Sequence, residues 1–452
     1  MKKFDVVVVG AGTGGCATAT ALAQKGINVA LLDRKKKEKI GDKICGDATS
    51  HSYFDHMANE GCKIDKPSGE EILQTIGGAY IGSPNNKAFL PIEREGAGWI
   101  LERHVFGQRL LHNAEDAGAI LLPESHALDI IMKAEQPQGV IIRKQGKAKE
   151  ELSCKVIVDC SGVSTALRRR VIDYSKEDLG FEKVIDDRDM VYGYREIRNL
   201  AVPLDHPHMM LIYFDQTVSP GGYFWVFPRG THSANVGLGV DCTYKEHSPR
   251  DLFNKRIKDD PLFKDSEVIH KGAARIPLRR PLDSLVANGY LLVGDAGCQV
   301  KATDGGGIGA SLWGGAMAAN AVEKCVESDS FTRKDLWIYN VDFMRNLGRS
   351  HGKMEILKHF ITRLTNKQIN TILCNKVIEG NDLLDLQGGE IPWGKTETLR
   401  RLWRGKGVIS LLAKLPDIKK RIEIADKLYE EYPETPEMFP AWKKEILSVF
   451  NR

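Results

Sequence analysis

Residues 4–33 constrain the fold more than any other stretch of the chain. Phe4–Val9 reads Phe-Asp-Val-Val-Val-Val, a short β-branched run of the kind that forms a strand buried on both faces. Gly10-Ala11-Gly12-Thr13-Gly14-Gly15 follows directly and fits the pattern G-x-G-x-x-G. The small-residue stretch Cys16–Lys25, ended by Gly26, predicts a helix; Asn28–Leu32 predicts a second strand, closed by an acid, Asp33. The glycines permit a tight turn and let the backbone approach a pyrophosphate. The helix start offers unpaired N–H groups to that anion, and the acid can accept hydrogen bonds from a ribose. Strand, loop, helix, strand and acid in this order predict a dinucleotide site at Gly10, Gly12, Gly14, Gly15 and Asp33. The alternative is a glycine loop that serves tight packing alone.

With 452 residues the chain exceeds one small core, so two or three domains are expected. A net charge of +4 carries no nucleic-acid footprint. The basic clusters Arg34–Lys37, Arg168–Arg170 and Arg279-Arg280 read as local features. Nine cysteines, an odd number without C-x-x-C pairs, argue for a reducing compartment and against structural zinc; no metal site is expected. No N-terminal segment reads as a signal peptide, and no apolar run reaches ~18 residues, so no transmembrane helix is expected. The expected location is cytoplasmic, with peripheral membrane contact left open.

After Asp33 a basic loop leads to Lys43-Ile44-Cys45-Gly46-Asp47-Ala48. Residues 52–100, rich in glycine and short apolar runs, read as a β-rich insertion. Arg103–Gly118 has helical spacing, Ala119–Leu122 reads as a strand, Glu124–Ile142 as a strand pair, and Val156–Asp159 as another buried strand. From 190 to 240 the texture turns to aromatic strands, Met209–Phe214 and Tyr223–Phe227. The α/β texture returns at Gly289–Asp295, and a small-residue helix runs to about Lys324. Beyond Phe331 the chain reads as helical, interrupted at Pro392 and Pro416. The apolar stretch Val408–Leu412 and the basic run Lys419-Lys420-Arg421 suit either a packed helix with a solvated face or a bilayer surface. The overall expectation is an α/β fold (α+β over the whole chain). A Rossmann-like dinucleotide domain comprises 1–50, 101–188 and 285–328. A β-rich substrate domain comprises 51–100 and 189–284, and a helical region 329–452.

Leu291–Ala296, with Asp295 just past a strand, and the glycine turn Thr303–Gly309 resemble the Gly-Asp-Ala segment of FAD proteins in the para-hydroxybenzoate hydroxylase superfamily. Val158–Ser164 with Arg168 resembles their middle D-G motif. Two further stretches are similar to the geranylgeranyl reductase family: Lys43-Ile44-Cys45-Gly46, and Tyr223-Phe224-Trp225-Val226-Phe227-Pro228 followed by Gly237-Leu238-Gly239. The resemblance covers about residues 1–325. It implies FAD as the cofactor and saturation of isoprenoid double bonds as the activity, on archaeal ether lipids or on chlorophyll side chains. It further implies that Gly10, Gly12, Gly14 and Gly15 line the pyrophosphate and Asp33 the adenosine ribose. Cys45, Gly46, Asp47, Ala48 and Arg103 then lie beside the cofactor, and Ala127 near the adenine. Asp295, Gly307 and Ile308 fall at the ribityl–flavin half. Tyr223, Trp225, Phe227, Pro228, Gly237 and Gly239 fall in the substrate site, with Cys45, Tyr223 and Trp225 as the catalytic candidates. The implied partners are a geranylgeranylated lipid and an electron donor, either NADPH or a ferredoxin.

An isolated trisubstituted alkene has no carbonyl to accept negative charge. Protonation at the less substituted carbon, with hydride delivered to the tertiary carbon, gives a transition state of cationic character. An aromatic wall attracts such a cation by roughly 0.5–2 kcal/mol per ring. Tyr223, Trp225 and Phe227 alternate along one strand and share a face, which lines a lipid tunnel or else packs as ordinary core. Alternation lets only one of Phe224 and Trp225 face that site. Cys45 is open to flavin packing, proton donation or a redox role; Cys298 reads as a buried small apolar residue, with a redox pairing to Cys45 as the alternative, and Lys43 as a partner of Asp47, a headgroup contact or a solvated loop lysine. His51 and His56 read as surface or core residues rather than ligands. A flavin monooxygenase, a flavin halogenase and a non-catalytic prenyl-lipid carrier that keeps FAD are the competing functions.

Overall fold

The computed structural model describes residues 2–164, 166–380, 382, 397, 400–401 and 404–450. Val6–Val9 lies inside a six-stranded sheet of spatial order Val286–Ala287, Tyr290–Leu292, Val156–Asp159, Val6–Val9, Val29–Leu32, Ile120–Leu122. All neighbours are parallel except the outermost pair, Val286–Ala287 with Tyr290–Leu292. Every residue of Val6–Val9, Val29–Leu32 and Val156–Asp159 is buried, as expected where both faces of a parallel sheet are covered. The helix after the glycine loop spans Thr13–Gln24, so it begins three residues before the predicted start. It packs against helices Arg103–Asp116 and Ile308–Ser328. Small residues are needed at that contact: a Cβ on Gly315 would lie 2.8 Å from Thr18 Oγ1 and 2.9 Å from the Gly14 carbonyl.

A four-stranded sheet, ordered Lys2–Lys3, Lys149–Ser153, Gln136–Lys144 and Ser125–Lys133, flanks this unit. The second large sheet has eight strands in the order Glu267–Pro277, Met190–Asn199, Ser233–Asp241, Phe224–Pro228, Met209–Tyr213, Ile72–Gly82, Phe89–Leu101 and Ala48–Thr49. Met209–Tyr213 pairs in parallel with Ile72–Gly82 and thereby joins two chain segments far apart in sequence. The stretch 52–100 is not all β: Ser52–Asn59 is a helix, with Phe54 and Met57 buried one turn apart, and the strands begin only at Ile72. His51 stacks on Trp99 at 3.6 Å and His56 on Trp313 at 4.1 Å. The basic clusters have structural partners. Arg168 donates to the Ala296 carbonyl at 2.7 Å, and Arg279 and Arg280 are fully buried against Glu182 and Asp283.

The C-terminal region contributes helices Trp337–Phe343, Arg349–Ile361, Asn366–Cys374, Leu415–Glu430 and Phe439–Val449. Pro416 does not interrupt a helix; it lies in the first turn of Leu415–Glu430, where its missing N–H costs nothing. Pro392 lies outside the described residues. Helix Leu415–Glu430 packs on Arg349–Ile361, where Tyr429 fills the space left by Gly352 and Arg349 makes a bidentate pair with Asp426 at 2.8 and 2.6 Å. Val408 and Leu411 are buried and Ile409 is half exposed; Arg421 donates to the Val449 carbonyl at 3.0 and 2.7 Å. No helix among the described residues is long and apolar enough to cross a membrane.

His351, fully buried in helix Arg349–Ile361, has no hydrogen-bond partner for either ring nitrogen among the described residues. Burial, with Lys301 adding to it, holds its pKa down at about 3. The unfolded chain binds a proton on this residue below about pH 6.5, and the folded chain does not until about pH 3. Its contribution to stability is therefore complete above pH 6.5 and is lost as the pH falls towards 3, by up to about 1.4 kcal/mol per pH unit. Thermal unfolding of the chain and of His351→Leu at pH 7 and pH 4 checks this. The variant should gain relative stability on acidification, and a difference independent of pH removes the claim.

Candidate active site

A cavity of about 540 Å³ opens between the two large sheets and the C-terminal helices. Its polar end is lined by Thr13, Arg103, Asp295, Gly307 and Ile308; its apolar end by Ile81, Ile212, Phe214, Phe360, Ile372 and Leu373, among others. The loop Lys43–Thr49 runs along the cavity between these ends, facing Tyr223, Trp225 and Phe227.

The aromatic strand Phe224–Pro228 resolves the alternation left open by the sequence. Trp225 and Phe227, preceded by Tyr223, face the cavity. Phe224 and Val226 pack on the other side with Tyr194 and Phe253. Tyr223 and Trp225 centroids are 5.8 Å apart, Trp225 and Phe227 6.0 Å. Two glycines make this face. A Cβ on Gly237 would sit 2.4 Å from the Trp225 ring, and one on Gly46 2.9 Å from the Phe227 ring. Gly237 and Pro228 do not reach the cavity wall, contrary to their assignment to the substrate site. Gly237 lies in register beside Trp225, and Pro228 pairs with Ala234 at the strand end. Gly239 does line the cavity. The Tyr223 hydroxyl donates to the Asp304 carbonyl, which ties the aromatic strand to the glycine turn.

Cys45 lines the cavity and accepts a hydrogen bond from the Asp47 N–H at 3.3 Å. Burial pushes its thiol up, and the Asp47 charge acts in the same direction, so the sulfur keeps its proton at neutral pH. Cys298 is fully buried, does not line the cavity and is not joined to Cys45; burial raises its thiol to about 11. Asp47 adopts φ 66°, a left-handed conformation that aspartate tolerates better than most residues. Its carboxyl is buried, which pushes it up to about 6 against the pull of Arg195, Arg103 and Arg229. Asn235 Nδ2 donates to Asp47 at 2.7 Å and Arg229 approaches it at 3.5 Å. Lys43 pairs with Asp295 at 3.9 Å rather than with Asp47. Ala48 continues the cavity wall and pairs with Ile100.

The glycine loop is packed at three positions and open at one. A Cβ on Gly10 would meet the Cys160 carbonyl at 2.5 Å, on Gly14 the Val293 side chain at 2.9 Å and on Gly15 the Gly10 carbonyl at 1.8 Å; at Gly12 nothing lies within 4 Å. Asp33 accepts from the Ala11 N–H at 2.9 Å and the Lys35 N–H at 2.8 Å. Ala127 sits in the four-stranded sheet at a register shift. It connects to this end through Ser125, whose N–H donates to the Asp33 carbonyl at 2.7 Å.

Residues 189–276 match the family described as geranylgeranyl reductase catalytic domain, and residues 5–174 the family described as FAD dependent oxidoreductase. The digeranylgeranylglycerophospholipid reductase of Sulfolobus acidocaldarius is 30% identical over 457 residues, spanning 100% of this chain and 98% of its own. The chain belongs to the geranylgeranyl reductase family. A digeranylgeranylglycerophospholipid reductase of Methanothrix thermoacetophila is 28% identical over 85% of this chain and 94% of its own. The fold of a geranylgeranyl bacteriochlorophyll reductase-like protein from Thermoplasma acidophilum matches with a TM-score of 0.76 at 22% identity, covering 92% of this chain and 100% of that one. A flavin-dependent brominase shares the fold at a TM-score of 0.66 and 16% identity, covering 91% of this chain and 100% of that one.

This reductase is an FAD-dependent oxidoreductase, and its residues fit the cofactor. Gly12 leaves the space above the loop clear. Arg103 is buried beside the loop, giving one Nη to Thr13 at 3.0 Å while Nε and the other Nη have no partner among the described residues, as suits a site for an anionic group. The helix Ile308–Ser328 opens on the cavity at Gly307 and Ile308, close to Asp295.

Sequence reasoning missed Asn235, Arg229 and the helical wall. Asn235 is the only side chain with a hydrogen-bonding group between Ala234 and Val240, a buried strand run, and that isolation was the available signal. Arg229 directly follows the aromatic motif and pairs with Glu102. Helices Arg349–Ile361 and Asn366–Cys374 carry no motif, and their apolar residues look like any other amphipathic pattern.

Proposed function

We propose that this reductase saturates the geranylgeranyl double bonds of a membrane ether lipid. The observation that carries the reading is the cavity itself. It is apolar and walled by Tyr223, Trp225 and Phe227. It runs from the glycine turn and Cys45 to an end lined by Phe360, Ile372 and Leu373. The names of the relatives from Sulfolobus acidocaldarius and Methanothrix thermoacetophila support the same substrate class.

FAD, when bound and reduced, supplies hydride. Gly10, Gly12, Gly14 and Gly15 hold its pyrophosphate, Asp33 the ribose, and Ala127 the adenine side. Arg103, Asp295, Gly307, Ile308 and the segment Cys45-Gly46-Asp47-Ala48 hold the remainder. Tyr223, Trp225 and Phe227 face the chain being reduced and favour positive charge on it. Phe360, Ile372 and Leu373 exclude water from the far end, so the chain is held extended. Cys45 holds the proton for the less substituted carbon, because its raised pKa keeps the thiol protonated and it stands at the aromatic face. Electrons enter from NADPH or a ferredoxin, distinguished by anaerobic reduction with each. The protein takes lipid from the bilayer by peripheral contact.

The test is anaerobic. Enzyme reduced with dithionite is given a geranylgeranylated glycerolipid without oxygen. The expected result is flavin reoxidation and a gain of two hydrogens for each bond saturated. Reoxidation by O2 alone transfers the protein to the monooxygenase or the lipid-carrier reading. Cys45→Ala is expected to keep FAD and lose about 100-fold in turnover, the usual share of a positioned acid. Turnover within a few-fold of the parent moves the proton to another group.

A further inference from the structure

Asn235 lies in strand Ser233–Asp241, fully buried, and every hydrogen bond its side chain makes goes to the active site. Its Oδ1 accepts the Trp225 indole N–H at 3.0 Å; its Nδ2 donates to the Cys45 carbonyl at 2.7 Å and to Asp47 Oδ2 at 2.7 Å. An indole N–H can only donate and a carbonyl can only accept, so the amide has a single orientation that satisfies all three partners. Those partners come from two segments some 180 residues apart in the chain, the loop Cys45–Asp47 and the aromatic strand. Arg229 also pairs with Asp47 at 3.5 Å and the Leu101 N–H donates to the Asp47 carbonyl at 2.9 Å, but it is Asn235 that bonds the Trp225 indole to the loop. Asp47 turns through a left-handed φ of 66°, and the Trp225 ring is free to lie along the strand because Gly237 beneath it has no side chain.

We propose that Asn235 is the positioning residue of the reduction: it ties the Cys45–Asp47 loop to Trp225 and so sets the thiol and the indole in one fixed relation across the double bond. The proposal rests on the roles given to Cys45 and Trp225 above. A residue that merely fills the core would leave the reactivity of Cys45 unchanged when replaced by another that folds. A positioning residue would not, because removing Nδ2 frees the Cys45 carbonyl and lets the loop move.

Two variants test it in the FAD-loaded protein. Asn235→Leu removes all three bonds. Asn235→Asp keeps the shape and the acceptor for Trp225, removes both donors and sets a carboxylate against Asp47. The FAD-to-protein ratio, anaerobic kcat and KM with a geranylgeranylated glycerolipid, and the rate of iodoacetamide alkylation at Cys45, read on its peptide by mass spectrometry, are measured for each. Retained FAD with kcat down about 100-fold and KM within about threefold is expected, as for a small misplacement of reacting groups. Cys45 alkylation should quicken about tenfold as the loop loosens. If Asn235→Leu does not fold, Asn235→Asp decides. Unchanged kcat and alkylation, or FAD lost together with kcat, overturns the proposal in favour of a packing role. Failure of the unmodified enzyme to reduce the lipid strikes the substrate reading instead; the Cys45 alkylation comparison stands apart from it and still decides the role of Asn235.

Discussion

Trp225→Ala should lower lipid turnover by about 100-fold while the purified protein stays yellow with its full complement of FAD. The indole is the middle ring of the Tyr223, Trp225 and Phe227 face, and its loss removes roughly 0.5–2 kcal/mol of attraction for positive charge on the substrate. It also leaves Asn235 Oδ1 unpaired in a fully buried position, which costs about 1–3 kcal/mol. The lost attraction is worth roughly 2- to 30-fold in rate, the unpaired Oδ1 lowers stability, and the remainder of the expected loss comes from Cys45 shifting once Asn235 has lost its Trp225 partner. The ring lies on the substrate sheet and not on the glycine loop, so FAD retention should be unaffected. Anaerobic turnover set beside the absorbance ratio of flavin to protein measures both quantities. Turnover within threefold of the parent would return Trp225 to the status of core packing.

Gly15→Ala is expected to yield protein nearly free of FAD. The added Cβ would lie 1.8 Å from the Gly10 carbonyl oxygen, a distance no pair of non-bonded atoms sustains. The neighbour is backbone, so no side chain can rotate away. Relief requires the first strand and the helix Thr13–Gln24 to part, which opens the loop that carries the cofactor. Gly12→Ala, at the position with nothing within 4 Å, should fold normally and load less FAD only to the extent that the methyl crowds the cofactor. Flavin content and thermal midpoint of the two variants separate the cases. Equal FAD loading in Gly15→Ala and the parent would show that the loop has slack the structure does not contain.

The nucleotide-binding half was legible because its information is local. Strand, glycine turn, helix and terminal acid all lie within residues 4–33, and a parallel sheet buried on both faces demands the uninterrupted apolar runs seen at Val6–Val9 and Val156–Asp159. The β-rich character of 52–100 was legible from its glycines and short apolar runs, but the helix Ser52–Asn59 at its start was not, because it rests on Phe54 and Met57 finding a core. Cys45 and the aromatic strand carried motifs, so their residues were nameable in advance. Which ring faced the cavity was not. Either face of an alternating strand is equally apolar here, and the choice fell to Gly237 and Gly46, which make room on one side, and to Tyr194 and Phe253, which fill the other.

Sequence alone determined the parallel nucleotide-binding type of sheet and FAD as the cofactor, and its motifs named the segments proposed to meet that cofactor. Tertiary structure alone decided how the active site is assembled. Lys43 went to Asp295 rather than Asp47, Cys298 was placed in the core rather than across from Cys45, and Asn235 was set between Trp225, Cys45 and Asp47. The helices Arg349–Ile361 and Asn366–Cys374 came to line the apolar end of the cavity only by packing on the eight-stranded sheet. The physical reason is range: strand and turn propensities act over a few residues, whereas a hydrogen bond or a cavity wall is chosen between groups that the chain separates by hundreds.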